Sequence, residues 1–170
     1  MIYLFFLRYY FIRFLVGQIE HEYLYPIGAE PWIFNEFQRY VNSWIQGFKR
    51  FSNKPNFNPK YQLTQLWINR MKAKEYNPIH IHPLCHLSFI LWLEVPQRIL
   101  QEAKNKKTNA ANPGEVVFIY GEDKWSMVTE KIFTPKVNTL MMFPAELRHS
   151  VMHFNSKVIR TSVAGNIKFI

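Results

Sequence analysis

Residues 77–96, NPIHIHPLCHLSFILWLEVP, decide how this chain is read. The second half, HLSFILWLEV from His86 to Val95, is a long apolar run of the kind carried by a buried strand. Strand-like segments lie on both sides of it. TQLWINRMKA, from Thr64 to Ala73, alternates in polarity, and EVVFIYG (115–121), VNTLMMF (137–143), LRHSVMHF (147–154) and VIRTSVAGNIKFI (158–170) follow at short intervals. Turn material separates them at Asn112-Pro113-Gly114, Gly121-Glu122-Asp123, Pro144 and Asn155-Ser156. Several short strands at this spacing predict a mainly β fold, a barrel or a sandwich.

Upstream, PWIFNEFQRYVNSWIQGFKR (31–50) is the best helix signal in the chain. Phe34, Phe37, Val41, Trp44, Ile45 and Phe48 recur at three- and four-residue steps, and Pro31 suits a first helical turn. That stripe predicts a helix packed on the sheet. A polar, Asn- and Pro-rich connector follows near residues 50–62. The 170 residues are therefore expected to form a single domain, with a supporting segment over 1–62 and a β core over 63–170.

Apolar residues make up 48% of the chain and aromatics 17%, which excludes a disordered protein. No internal repeat is visible, which argues against a solenoid or propeller. The formal net charge is +9, but the basic residues are scattered and no nucleic-acid module is recognisable. Their densest run, Lys104, Lys106 and Lys107, falls in QEAKNKKTNAANPGE, which reads as an exposed loop. One cysteine, Cys85, allows no internal disulfide and fits a reducing, cytoplasmic setting. The opening MIYLFFLRYYFIRFLV is apolar, but Arg8 and Arg13 interrupt it well short of the roughly 20 residues a membrane span needs. It reads as a packed strand or short helix, with an interfacial anchor or an altered start as alternatives.

The chemistry-bearing residues are mostly histidines. Six occur, three of them within His80–His86. On an extended strand, residues two apart share a face, so His80 and His82 can present their imidazoles together. Neutral imidazole is a favoured ligand for first-row transition metals, whereas a pair of histidines fills a core badly because each ring nitrogen needs a partner. Taken alone, H-x-H is weak evidence, since surface or hydrogen-bonded histidines produce it too. His149, in FPAELRHSV after an apolar strand and a proline turn, is the candidate third ligand. His86 is a fallback beyond Pro83, and Cys85 reads as an incidental thiol. Eleven residues after His149 stands Arg160, within an apolar strand. It either snorkels to the surface or meets an anion, and a dicarboxylate would be one. Ser162, facing the same way, would add a second donor.

These stretches together, WINRM, EYNPIHIHP, HLSFILWLEVP, GEVVF, TLMMFPAELRHSVMHF and RTSVAGN, resemble the 2-oxoglutarate/Fe(II) oxygenases of bacteria and bacterial viruses over residues 64–166. The shared pattern is H-x-H…L-S…Y-L-x-x-P…F-P-x-x-L-x-H-x-V…R-x-S-x-x-x-N. The resemblance implies a double-stranded β-helix, a cupin-like jelly roll. It implies Fe(II) held by His80, His82 and His149, and 2-oxoglutarate as co-substrate with its far carboxylate on Arg160 and Ser162. It also implies O2 and an organic or protein substrate, oxidised with release of succinate and CO2. One position departs from this pattern, and another from the wider superfamily. Trp92 stands in the Tyr place, and His82 stands where the wider superfamily has Asp or Glu, which leaves an Fe(II) centre one charge more positive. The alternative reading is a non-catalytic, cupin-like barrel that binds a metal or small ligand. Such a barrel would have no use for a carboxylate clamp at Arg160.

Overall fold

The computed structural model describes residues 16–27, 31–105, 109–122 and 125–170. The expectation for residues 1–15 lies outside that set. The first described elements are strand β1 (Glu22–Leu24) and helix α1 (Pro31–Phe51), the second close to the expected 31–50. There follow β2 (Tyr61–Met71), β3 (Asn77–His80), β4 (Leu87–Glu94), α2 (Gln97–Lys104), β5 (Val116–Ile119), β6 (Glu130–Phe133), β7 (Leu140–Pro144), β8 (Arg148–Val151) and β9 (Arg160–Phe169).

The strands form two antiparallel sheets, a larger one in the order β1-β2-β9-β4-β7 and a smaller one in the order β3-β8-β5-β6. Successive strands largely alternate between the sheets, and this is the double-stranded β-helix order that the sequence led us to expect. Side-chain alternation explains why the long strands are apolar on both faces. On the outer face of the larger sheet, Leu66, Leu87, Phe89 and Ile167 pack against Phe37, Val41 and Ile45 of α1. The Phe37 and Phe89 rings lie 4.4 Å apart. The side chain of Phe34 is outside the described set. On the inner face, Met71 and Trp92 meet Val116, Phe118 and Val151 of the smaller sheet.

Two polar rows cross the inner face. Glu22, Asn69, Ser162 and Trp92 stand opposite one another on β1, β2, β9 and β4. Four residues further along, past Trp67 and Ala164, lie Gln65, Asn166 and Ser88. The Ser88 hydroxyl donates to Asn166 Oδ1 at 2.8 Å, and Asn166 Nδ2 donates to Gln65 Oε1 at 2.7 Å. The Ser of the L-S motif and the terminal Asn of the R-x-S-x-x-x-N motif thus bond each other and lock β4 to β9 beneath the site.

Gly165 sits where β9 passes Phe89. A Cβ there would come within 2.5 Å of Phe89 Cζ and 2.9 Å of the Gln65 carbonyl oxygen. Gly165→Ala is therefore expected to destabilise the protein by about 1–3 kcal/mol, read as a lower midpoint in urea unfolding.

One expectation needs correcting. The polar stretch after residue 97, expected to be loop from Gln101 onward, begins as α2, which buries Ile99. Among the described residues, no helix is long and apolar enough to cross a membrane.

Candidate metal centre

His80 closes β3 and His149 lies opposite it on β8, so strand pairing alone brings these two imidazoles together. His82 lies just beyond the end of β3 rather than within it. Its position is set by the backbone instead. The His82 N–H donates to the Ala145 carbonyl at 2.9 Å, and the Ala145 N–H donates to the His86 carbonyl at 3.0 Å. The F-P-A-E turn before His149 thereby clamps the loop that carries His82.

One potential ligand atom from each of the three histidines falls in a set whose members lie within 4.8 Å of one another. His80 Nδ1–H donates to the Pro78 carbonyl at 2.7 Å, and His149 Nδ1–H donates to the Leu147 carbonyl at 2.9 Å. Each bond fixes the ring's tautomer and leaves an Nε2 lone pair free, the usual outer support of a metal-binding imidazole. The Nε2 atoms of His82 and His149 are 3.3 Å apart. Two nitrogens bound to one ion at about 2.1 Å would sit about 3.0 Å apart at right angles and about 3.4 Å apart in a tetrahedron. The spacing therefore fits a shared metal.

The rings also hold the protonation state that ligation needs. Burial pushes the pKa of His82 down to about 3, with repulsion from His149 and His80 adding to it. Burial, then repulsion from His80, lowers His149 to about 4, and burial lowers His80 as well. All three are neutral at pH 7. Phe143 and Phe118 pack on His149, and Trp67 packs on His82, forming an aromatic wall. His86 is not part of the cluster. It is exposed, stacks on Phe169, and accepts a hydrogen bond from that residue's N–H.

The same cavity, about 370 Å³, is lined by all three histidines and by Arg160, Ser162 and Trp92. That volume is in the range of small-molecule sites. Arg160 is 4% exposed. Its Nη1 donates to the Gly114 carbonyl at 2.6 Å and its Nη2 to Met71 Sδ at 3.1 Å, while Nε has no partner. Gly114 has φ +74°, and a Cβ on it would come 2.9 Å from Ile99 of α2, so only glycine brings this carbonyl to the guanidinium. Burial lowers the Arg160 pKa to about 10, leaving it charged at neutral pH. Among the described residues no carboxylate pairs with it. Trp92 Nε1, in the same row as Ser162, is likewise buried without a partner. A buried cation with an unused donor, beside a second unused donor, calls for an anion.

Residues 65–166 match the family model described as "Putative 2OG-Fe(II) oxygenase". The chain belongs to that family. The solved structures it resembles include the viral collagen prolyl hydroxylase of Paramecium Bursaria Chlorella virus-1 in its 2OG complex. The two are 12% identical with a TM-score of 0.54, covering 86% of this chain and 77% of that one. A Pseudomonas putida prolyl-4-hydroxylase is 10% identical at a TM-score of 0.53, covering 86% and 70%. An oxidoreductase of the 2OG-Fe(II) oxygenase family from Burkholderia pseudomallei is 19% identical at a TM-score of 0.49. It is matched over 69% of this chain, which spans only 49% of its length. At these identities the first two likenesses establish the fold. No curated protein matches the chain significantly in sequence.

In this 2OG-Fe(II) oxygenase, the cavity also holds a residue that no motif or spacing singles out. Glu22 on β1 is 2% exposed and lines the same cavity. With the Asn69 amide turned to satisfy its neighbours, that amide donates to Glu22 Oε1 at 2.7 Å and accepts from Trp67 Nε1 at 3.2 Å. Glu22 Oε2 has no partner. Burial, then repulsion from Glu75, pushes the Glu22 pKa up to about 7. The folded protein thus keeps a proton that the unfolded chain releases near pH 4.5, so stability present below that pH is lost as pH rises through 7. Glu22→Gln, which cannot ionise, should gain about 2–3 kcal/mol over the parent at pH 8 relative to pH 4.5 in urea unfolding. An equal difference at both pH values would mean that Glu22 is not shifted.

Proposed function

We propose that this protein is an Fe(II)- and 2-oxoglutarate-dependent dioxygenase that hydroxylates its substrate. In this reading His80, His82 and His149 hold the iron, and Arg160 and Ser162 bind the far carboxylate of 2-oxoglutarate. The observation that carries it is the pairing, in one cavity, of three neutral histidines with a buried guanidinium that lacks a counterion. Iron bound there, with 2-oxoglutarate and O2, would supply the oxidant for an unactivated C–H bond while succinate and CO2 are released.

The chain's own residues do the rest. The Pro78 and Leu147 carbonyls hold two imidazoles with Nε2 turned inward. Trp67, Phe118 and Phe143 exclude water. Arg160 supplies a planar fork matched to a carboxylate, and Trp92 Nε1 offers a further donor. Two of the structural neighbours are named as prolyl hydroxylases, and a peptide or protein substrate is consistent with the exposed apolar side chains of Ile79, Ile81 and Leu84 beside the histidines. A reducing cytoplasm suits both an Fe(II) site and the free Cys85.

A non-catalytic metal-binding barrel leaves Arg160 unexplained. Incubating the protein with Fe(II), 2-oxoglutarate and O2 should yield succinate even without the substrate, and His149→Ala should yield none. Equal succinate from both proteins would sink the proposal.

A further inference from the structure

At the edge of the cavity nearest β1 and β3, oxygen acceptors gather without donors to meet them. Glu22 is 2% exposed, and its Oε2 is unpartnered. Asn77, at the start of β3, presents Oδ1, also buried and unpartnered. Gly17 lies beside both. A Cβ on Gly17 would collide with Asn77 Oδ1 and reach 3.2 Å from Glu22 Oε1, so the missing side chain lets the Asn77 and Glu22 side chains approach each other here. All three residues line the cavity that the histidines share.

Buried acceptors of this kind are satisfied by N–H or O–H donors. A hard metal ion fits poorly, because it takes six or more oxygen ligands and this corner offers few, Asn69 turning its amide nitrogen towards Glu22. A cationic nitrogen fits well, supplying several donors and the charge that a buried carboxylate lacks.

We infer that the substrate carries an ammonium or similar cationic N–H group, seated by Glu22 and Asn77 at the β1–β3 end of the cavity. The inference rests on the oxygenase reading and adds a substrate class to it. Glu22 stands two strands from Ser162 in the same row, roughly 10 Å away, so the amine would sit clear of the carboxylate clamp. Asn77 precedes His80 by three residues on the same strand, also roughly 10 Å. An amine on a short alkyl chain, comparable to a lysine side chain, would span from this corner towards the histidines.

The test is calorimetric titration of n-pentylammonium, pentan-1-ol and pentanoate into the protein loaded with redox-inert Zn(II) and 2-oxoglutarate, and into the metal-free protein. The ammonium should bind at least about ten-fold more tightly than the alcohol, with pentanoate weakest. Glu22→Gln should lose about 30-fold in ammonium affinity while the alcohol is unaffected. Asn77→Ala, on a different strand, should lose about five-fold. Equal affinities for the three probes in the parent, no binding of any of them, or a preference that survives in Glu22→Gln would each overturn the inference and leave the corner to bound water. The 2-oxoglutarate titration is read separately. If 2-oxoglutarate binds through Arg160 and the ammonium preference is missing, only the amine site fails. If 2-oxoglutarate does not bind, the oxygenase reading fails, and the ammonium preference of the metal-free protein still decides for or against the corner itself.

Discussion

His149→Ala and His80→Ala should each abolish stoichiometric Fe(II) binding, measured by anaerobic equilibrium dialysis and metal analysis. Each removes one of three convergent nitrogens, and each of these rings is held in its ligating tautomer by a backbone carbonyl. Losing an outer support alone typically costs about 10–100-fold in metal affinity, so losing a ligand should exceed about 100-fold. His86→Ala should leave binding nearly intact, because His86 faces Phe169 rather than the cluster. His82→Asp should tighten retention of iron by replacing a neutral ligand with an anionic one. Equal loss from His80, His149 and His86 would mean that the ligand set is wrong. A folded His82→Asp that binds iron more weakly than the parent would remove His82 from it.

Arg160→Ala should raise the apparent dissociation constant for 2-oxoglutarate about 30-fold or more while Fe(II) still binds. A guanidinium meeting a carboxylate in a partly dry pocket makes two parallel charge-assisted hydrogen bonds, worth about 2–5 kcal/mol when one partner is removed. Arg160→Lys should recover part of the loss, since a point charge does not reproduce the fork. Ser162→Ala should cost about 1 kcal/mol. A structural role is separated from a binding role by Arg160→Met. A buried guanidinium without a counterion is a burden to the empty protein, so an apolar side chain of similar length should leave stability equal or higher. It should still abolish 2-oxoglutarate binding. Loss of folding in Arg160→Met together with unchanged 2-oxoglutarate affinity in Arg160→Ala would make Arg160 a packing residue.

Much of this architecture was legible because both faces of the long strands are buried. β4, β5, β8 and β9 fall within the runs that polarity singled out, β2 begins three residues before its run and β7 takes in Pro144 just after its own, and α1 follows from the Phe37, Val41 and Ile45 stripe. The elements that escaped notice have weak local signals. β6 (EKIF) is exposed over Glu130–Ile132, so no apolar alternation marks it. α2 (QRILQEAK) buries only Ile99 and reads as polar loop. β3, anticipated only through the H-x-H alternation, contains Pro78, which usually argues against a strand and is tolerated here at its second residue.

The site follows the same logic. The structure gathers His80, His82 and His149 and places Arg160 and Ser162 on the same cavity. His82 arrives through a clamped loop rather than the shared strand face, a distinction that H-x-H does not encode. Glu22 was invisible in the sequence. It lies among the polar and aromatic residues of IEHEYLY, and only its pairing with Asn69, 47 positions away, carries it into the cavity.

The most direct test is an anaerobic titration of the metal-free protein with Fe(II) and then 2-oxoglutarate, followed by visible absorption. Chelation of a 2-oxo acid to iron held by the three histidines should produce a metal-to-ligand charge-transfer band that saturates at one equivalent of iron. The band should be absent in His149→Ala and should need far more 2-oxoglutarate in Arg160→Ala. Iron that binds with no such band at any 2-oxoglutarate concentration, or a band that persists unchanged in His149→Ala, would contradict the assignment of this cavity as an oxygenase centre.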